Sequence, residues 1–203
     1  MPRAAVTPDV RETVLAAAAH LMDTCGFRKM TMEAIAAEAR IGKATIYGYF
    51  DSKEDVALSV IRRHQECIKA RWIKLAGEDA PPDVRLRRMV VDLVLSGFDK
   101  AQQCRQSMDE TLAALRHAIL KRRYEFNGEL AGLLAAVLRQ GCDSAVFRCD
   151  DPDASAQAII TCVSGLNPTN LAPQELGERG EIEVRTHQIV DLLLCGLRVR
   201  HDS

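Results

Sequence analysis

Apolar positions recur with helical period along almost all of this chain, and no convincing strand pattern interrupts them. The first pattern runs from Pro8 to about Cys25, with apolar residues at 10, 14, 17/18, 21 and 25. Thr7 suits its N-cap, Pro8 its first helical position and Asp9 its first turn, and Gly26 supplies a left-handed stop. A short pattern follows Thr31 and ends near Ala39. Arg40-Ile41-Gly42 reads as a turn, and a third helix covers about Lys43 to Tyr49. Ser52-Lys-Glu-Asp55 resembles a capping box and opens a long helix to about residue 76.

After the loop GEDAPPD (77–83) comes a helix over about 84–103. Ser107-x-x-Glu110 opens helical sequence to Gln140, closed by Gly141. A run that long is expected to break, at Asn127-Gly128 or at the basic LKRR (120–123). Asp150-Asp151-Pro152 starts a helix to about Gly165, and after an irregular connection the last helix covers about 181–199. The pattern predicts an all-α fold: an N-terminal three-helix domain over 1–50 and a C-terminal helical bundle over 51–203.

Composition narrows the class. Apolar residues make up 47% and charged residues 27% of 203, which favours a packed, soluble chain over a disordered one. No apolar run reaches the ~18 residues that suggest a membrane span, and MPRAAVTPDVRE lacks the apolar core of a secretory signal. The expectation is a cytoplasmic protein with no membrane partner. The first 75 residues hold 12 Lys/Arg and 9 Asp/Glu, the remainder 15 and 19, so a weakly basic front precedes an acidic back.

Candidate chemistry is sparse. The histidines at 20, 64, 117, 187 and 201 show no H-x-x-x-H spacing, and no glycine-rich phosphate loop or G-x-S-x-G occurs. We expect no catalytic residues, no metal and no cofactor. Seven cysteines, at 25, 67, 104, 142, 149, 162 and 195, form no C-x-x-C, and free thiols are expected. Cys142 and Cys149, on either side of a loop, are the pair to watch for redox chemistry.

The stretch TMEAIAAEARIGKATIYGYFDSK (31–53) carries the strongest signal. Two short helices joined by a three-residue turn form a helix-turn-helix, whose second helix lies in the DNA major groove with its early residues nearest base edges. Ala36 permits close approach, and Ile41 and Ile46 fill the angle. Thr31, Tyr47, Tyr49 and Lys53 supply donors for phosphate oxygens, and Arg40 is a further candidate.

The run from Thr13 to about Ile61 resembles the N-terminal domain of the TetR (tetracycline repressor) family. VLAAAAHLMDTCGFRKMT, EAIAAEA, KATIYGYF and DSKEDV carry the likeness. Arg40 stands where the family usually has Gly, and Gly42 where a Ser often caps the recognition helix. The resemblance implies that Thr31, Lys43, Tyr47, Tyr49 and Lys53 touch phosphates and that Lys43, Ala44 and Thr45 read bases. It implies a homodimer on a palindromic operator, joined through the last two helices, for which Ile159, Val163, Ile189, Leu192, Leu193 and Gly196 give an apolar stripe. It implies a small-molecule effector bound among helices from about 84 to 165. Trp72, Met89, Phe98, Met108, Tyr124 and Phe126 are candidates for lining such a cavity; core packing is the other reading of both sets. The implied function is a transcriptional regulator, by family habit a repressor released by ligand. The alternatives are a cysteine-based redox-responsive regulator and a helical bundle with a vestigial DNA-binding end.

Overall fold

The computed structural model describes residues 9–103, 108–166 and 177–198. Its elements there are helices: α1 (Val10–Lys29), α2 (Met32–Ala39), α3 (Lys43–Tyr47), α4 (Lys53–Ala76), α5 (Pro82–Gln103), α6 (Met108–Asp143), α7 (Pro152–Ser164) and α8 (Arg179–Leu197). The sole extended pairing among the described residues is an isolated bridge between Phe147 and Arg198. No described helix is long and apolar enough to cross a membrane.

Packing divides the chain into two compact units. One comprises 1–64 and 103–120, the other 65–102 and 121–203. In the first unit Val14, Leu15 and Ala18 of α1, Ile35 of α2, Ile46 of α3, and Val56 and Ala57 of α4 are fully buried in one cluster, joined by Met30 and Phe50. The five-residue α3 is too short to persist alone in water; burial of Ile46 in this cluster holds it. The second unit has its own core, built from Trp72, Leu86, Met89, Leu130, Leu134, Leu138, Ile160 and Ile182, all fully buried.

Three expectations need correction. Asp9 is the N-cap of α1 rather than a first-turn residue, its carboxylate accepting from the Arg11 N–H at 3.0 Å; Thr7 and Pro8 lie outside the described residues. Second, α6 does not break: it runs unbroken for 36 residues through both LKRR and Asn127-Gly128. Glycine at 128 costs about 1 kcal/mol of helix propensity, and burial of Phe126, Leu130, Ala131 and Leu134 along the same helix outweighs it. Third, Gly141 is no helix stop. It is buried against the Phe147 ring, where any side chain would collide. The left-handed residue that ends α6 is Ala145, at φ 56°. The Ala145 N–H bonds Cys142 O at 3.0 Å and the Val146 N–H bonds Gly141 O at 2.8 Å, the paired bonds of a Schellman motif.

Candidate nucleic-acid interface

The helix-turn-helix is built as its sequence dictates. Thr31 caps α2, its Oγ1 accepting from the Ala34 N–H at 3.1 Å. Arg40 ends α2 in the left-handed region, at φ 55° and ψ 39°. The Arg40 N–H bonds Ala37 O at 3.2 Å and the Ile41 N–H bonds Ala36 O at 3.0 Å, again a Schellman pair. Ala36 and Ile41 are half-buried against the same cluster that buries Ile46, so the turn is fixed by apolar contact on its inner side. Gly42 caps α3 without a side-chain bond.

The outer side is polar and open. Ile46 is the one buried residue of α3, and Lys43, Ala44, Thr45 and Tyr47 are exposed. Tyr47 and Tyr49 are 47% and 50% exposed. Thr31 and Arg40 are exposed on the same element pair.

Two cations have partners that sequence reasoning missed. Lys43 is ion-paired with Glu33, in the first turn of α2, and its ammonium lies 5.7 Å from the centre of the Tyr47 ring. The hydrogen bond from Lys43 holds the Glu33 carboxyl below its ordinary value, and the same bond raises Lys43. The ten-residue separation hid this pair; only the turn geometry brings the side chains together. Lys53 donates to Phe27 O at 3.3 Å and Arg28 O at 3.4 Å, and its ammonium sits 4.6 Å from the Phe27 ring centre. These carbonyls lie just past Gly26, whose positive φ of 83° breaks the α1 ladder. An ammonium has three donors, so Lys53 retains one while closing the end of α1.

Residues 14–60 match the family model described as bacterial regulatory proteins, tetR family. The N-terminal domain belongs to the TetR family. That TetR domain is the DNA-binding domain of bacterial regulatory proteins, and the rest of the chain shares the fold of such regulators. Solved structures share its fold over nearly the whole length. A transcriptional regulator from Cytophaga hutchinsonii has a TM-score of 0.76 and 18% identity, covering 93% of this chain and 98% of its own. A TetR transcription regulator from Haloarcula marismortui has a TM-score of 0.71 and 18% identity, covering 91% and 97%. A protein solved to give the molecular basis for control of antibiotic production by bacterial hormones has a TM-score of 0.68 and 20% identity, covering 95% and 100%. Comparison with curated proteins finds no match.

The other candidate residues fall in the second unit and separate by burial. Trp72, Met89, Phe98 and Phe126 share its core, at 0%, 0%, 2% and 6% exposure, whereas Tyr124 is 82% exposed and stands outside it. The Met108 side chain lies outside the described residues. The Trp72 indole Nε1 is buried and finds no hydrogen-bond partner among the described residues. Elsewhere in this unit a groove of about 480 Å³ is lined by Arg71, Lys74, Leu75, Glu78, Arg87, Arg88, Val91, Asp92 and His187, none of them expected from sequence. Its arginines are engaged: Arg71 with Asp92, Arg87 with Asp191 and Arg88 with Glu78. Of the apolar stripe on α7 and α8, Ile159 and Val163 belong to this unit's own core, and Ile189 and Leu193 pack on it half-buried. Leu192, at 75%, and Gly196 are exposed. Val184, four residues before Gln188 and eight before Leu192, lies on the same α8 face at 57% exposure.

Proposed function

We propose that this TetR-domain protein is a cytoplasmic, homodimeric repressor that leaves a palindromic operator when a small molecule binds. The carrying observation is the exposed polar front of α3, held by the single buried Ile46. On this reading residues 1–50 bind DNA. Lys43, Ala44 and Thr45 meet base edges, and Thr31, Arg40, Lys43, Tyr47, Tyr49 and Lys53 meet phosphates on either side. A helix of five residues reads too few base pairs for useful specificity. Two copies spaced by one DNA turn, about 34 Å, read a two-fold site.

Residues 51–203 then dimerise and sense. The exposed α8 face of Val184, Leu192 and Gly196 is the surface for the second copy, with Ile159 and Val163 supporting it from inside the protomer. The Trp72 N–H, unpartnered among the described residues and set among Met89, Phe98 and Phe126, favours an effector that is largely apolar and carries one hydrogen-bond acceptor. The similar structure solved to explain control of antibiotic production by bacterial hormones supports effector control as a mode open to this fold. Ligand acts by linkage: it favours a dimer whose recognition helices are wrongly spaced for the operator.

Selection from random duplexes tests this reading. Bound pools should share two half-sites related by a two-fold axis, about 10 base pairs apart or a multiple of it. Pools without a common half-site, or with a single unrepeated one, contradict it.

A further inference from the structure

Two thiols in the second unit are held face to face. Cys142, in the last turn of α6, has its sulfur 3.0 Å from that of Cys149, in the loop before α7, and both are only partly buried. The backbone on each side is tied down. The Schellman bonds fix the turn after Cys142. Phe147, 2% exposed, is seated on Gly141. The Arg148 N–H donates to Leu197 O at 2.6 Å. Beyond Cys149, Asp151 caps α7 by accepting from the Asp153 and Ala154 N–H groups at 2.9 and 3.0 Å. Among the other described cysteines, Cys67, Cys162 and Cys195 are exposed, and the Cys25 thiol donates to Leu21 O at 3.1 Å.

We propose that Cys142 and Cys149 are a dithiol site, oxidised to an intramolecular disulfide by a low-molecular-weight disulfide. The Cys142 thiolate attacks one sulfur of the oxidant, forming a mixed disulfide and expelling one thiolate. The Cys149 sulfur, having lost its proton, attacks Cys142 and expels the second. Two electrons pass to the oxidant, and the two cysteine protons end on the two released thiols. Burial, then the hydrogen bond and charge of Cys142, push the Cys149 thiol up to about 11, and Asp150 adds to this while Ser155 opposes it. Cys149 therefore keeps its proton during the first step. When Cys142 enters the mixed disulfide its charge is gone, and that part of the barrier to Cys149 ionisation goes with it. The product clamps the turn that carries Phe147 and Arg148. This proposal is independent of the DNA-binding reading.

The test uses the full-length chain with Cys162→Ser, an exposed position, incubated with oxidised glutathione, alkylated and digested with trypsin. Cleavage after Arg139, Arg148 and Arg179 places Cys142 and Cys149 on different peptides. The expected result is peptide 140–148 joined to 149–179, separated by dithiothreitol, with a melting temperature above that of the reduced protein. In a Cys149→Ser variant, glutathione should remain on Cys142. Free, alkylated Cys142 and Cys149 after oxidation, pairing of either with another cysteine, or an unchanged melting temperature overturns the proposal.

Discussion

Lys43, the first residue of the recognition helix, is ion-paired with Glu33 of the preceding helix. The cation best placed for DNA is thus partly neutralised before DNA arrives. Both side chains are about half exposed or more, so the pair contributes little to stability, and its consequence lies in binding. Glu33→Gln should raise affinity for any duplex and steepen its salt dependence, because one more cation is free to displace counterions. Lys43→Ala should flatten the slope of log affinity against log salt by about one. Fluorescence anisotropy at several salt concentrations measures both. The lowered Glu33 carboxyl keeps the pair charged at neutral pH, so its contribution is lost only as pH falls through that lowered value. The raised Lys43 ammonium keeps its share until pH climbs beyond the ordinary lysine range. Between those limits the Glu33→Gln effect should not vary with pH.

Arg40 and Ala145 both end helices in the left-handed region, at φ 55° and 56°. Glycine at either site relieves strain of about 1–2 kcal/mol but adds about 0.4–1 kcal/mol of unfolded-chain entropy, leaving a net gain of roughly 0.5–1 kcal/mol. Urea unfolding should show that gain for both variants. DNA affinity should fall for Arg40→Gly alone, since only Arg40 borders the recognition helix. Equal affinity in the two variants would remove Arg40 from the interface.

Gly141→Ala should destabilise by about 1–3 kcal/mol, because the new methyl meets the Phe147 ring in a packed turn. Combining it with Phe147→Ala should cost less than the sum of the two single changes, as expected for residues in contact. Additive losses in thermal or urea unfolding would contradict the contact.

Tyr49→Phe removes one hydroxyl at a position 50% exposed. Unfolding should be unchanged within about 0.5 kcal/mol, the usual range for surface changes. Binding should weaken for specific and unrelated duplexes alike, the signature of a phosphate contact. Calorimetric melting beside a binding titration separates the two effects.

The helices and the helix-turn-helix were legible because they rest on local signals. Thr31, Ser52 and Asp151 cap the helices that their sequences predict, with Oγ or carboxylate bonds to the following N–H groups. Ile35 and Ile46 are buried as their spacing required. What escaped depends on three-dimensional proximity. Glu33 meets Lys43 only across the turn, and Lys53 meets Phe27 O only because α1 breaks at Gly26. Gly141 read as a stop because its sequence context cannot reveal the ring of Phe147. Tyr124 and Phe126, two residues apart on one helix, point to different surroundings: one is 82% exposed and the other 6%. A cluster of aromatics in sequence is therefore not a cluster in space.

The most direct test of DNA recognition by the α3 face is titration of the full-length protein onto DNA upstream of its own gene, at two salt concentrations, against an unrelated duplex. Binding should favour the upstream duplex, fill in two-subunit steps and weaken with salt. Lys43→Ala should reduce that salt dependence. Equal, salt-insensitive association with both duplexes, unchanged by Lys43→Ala, would contradict it.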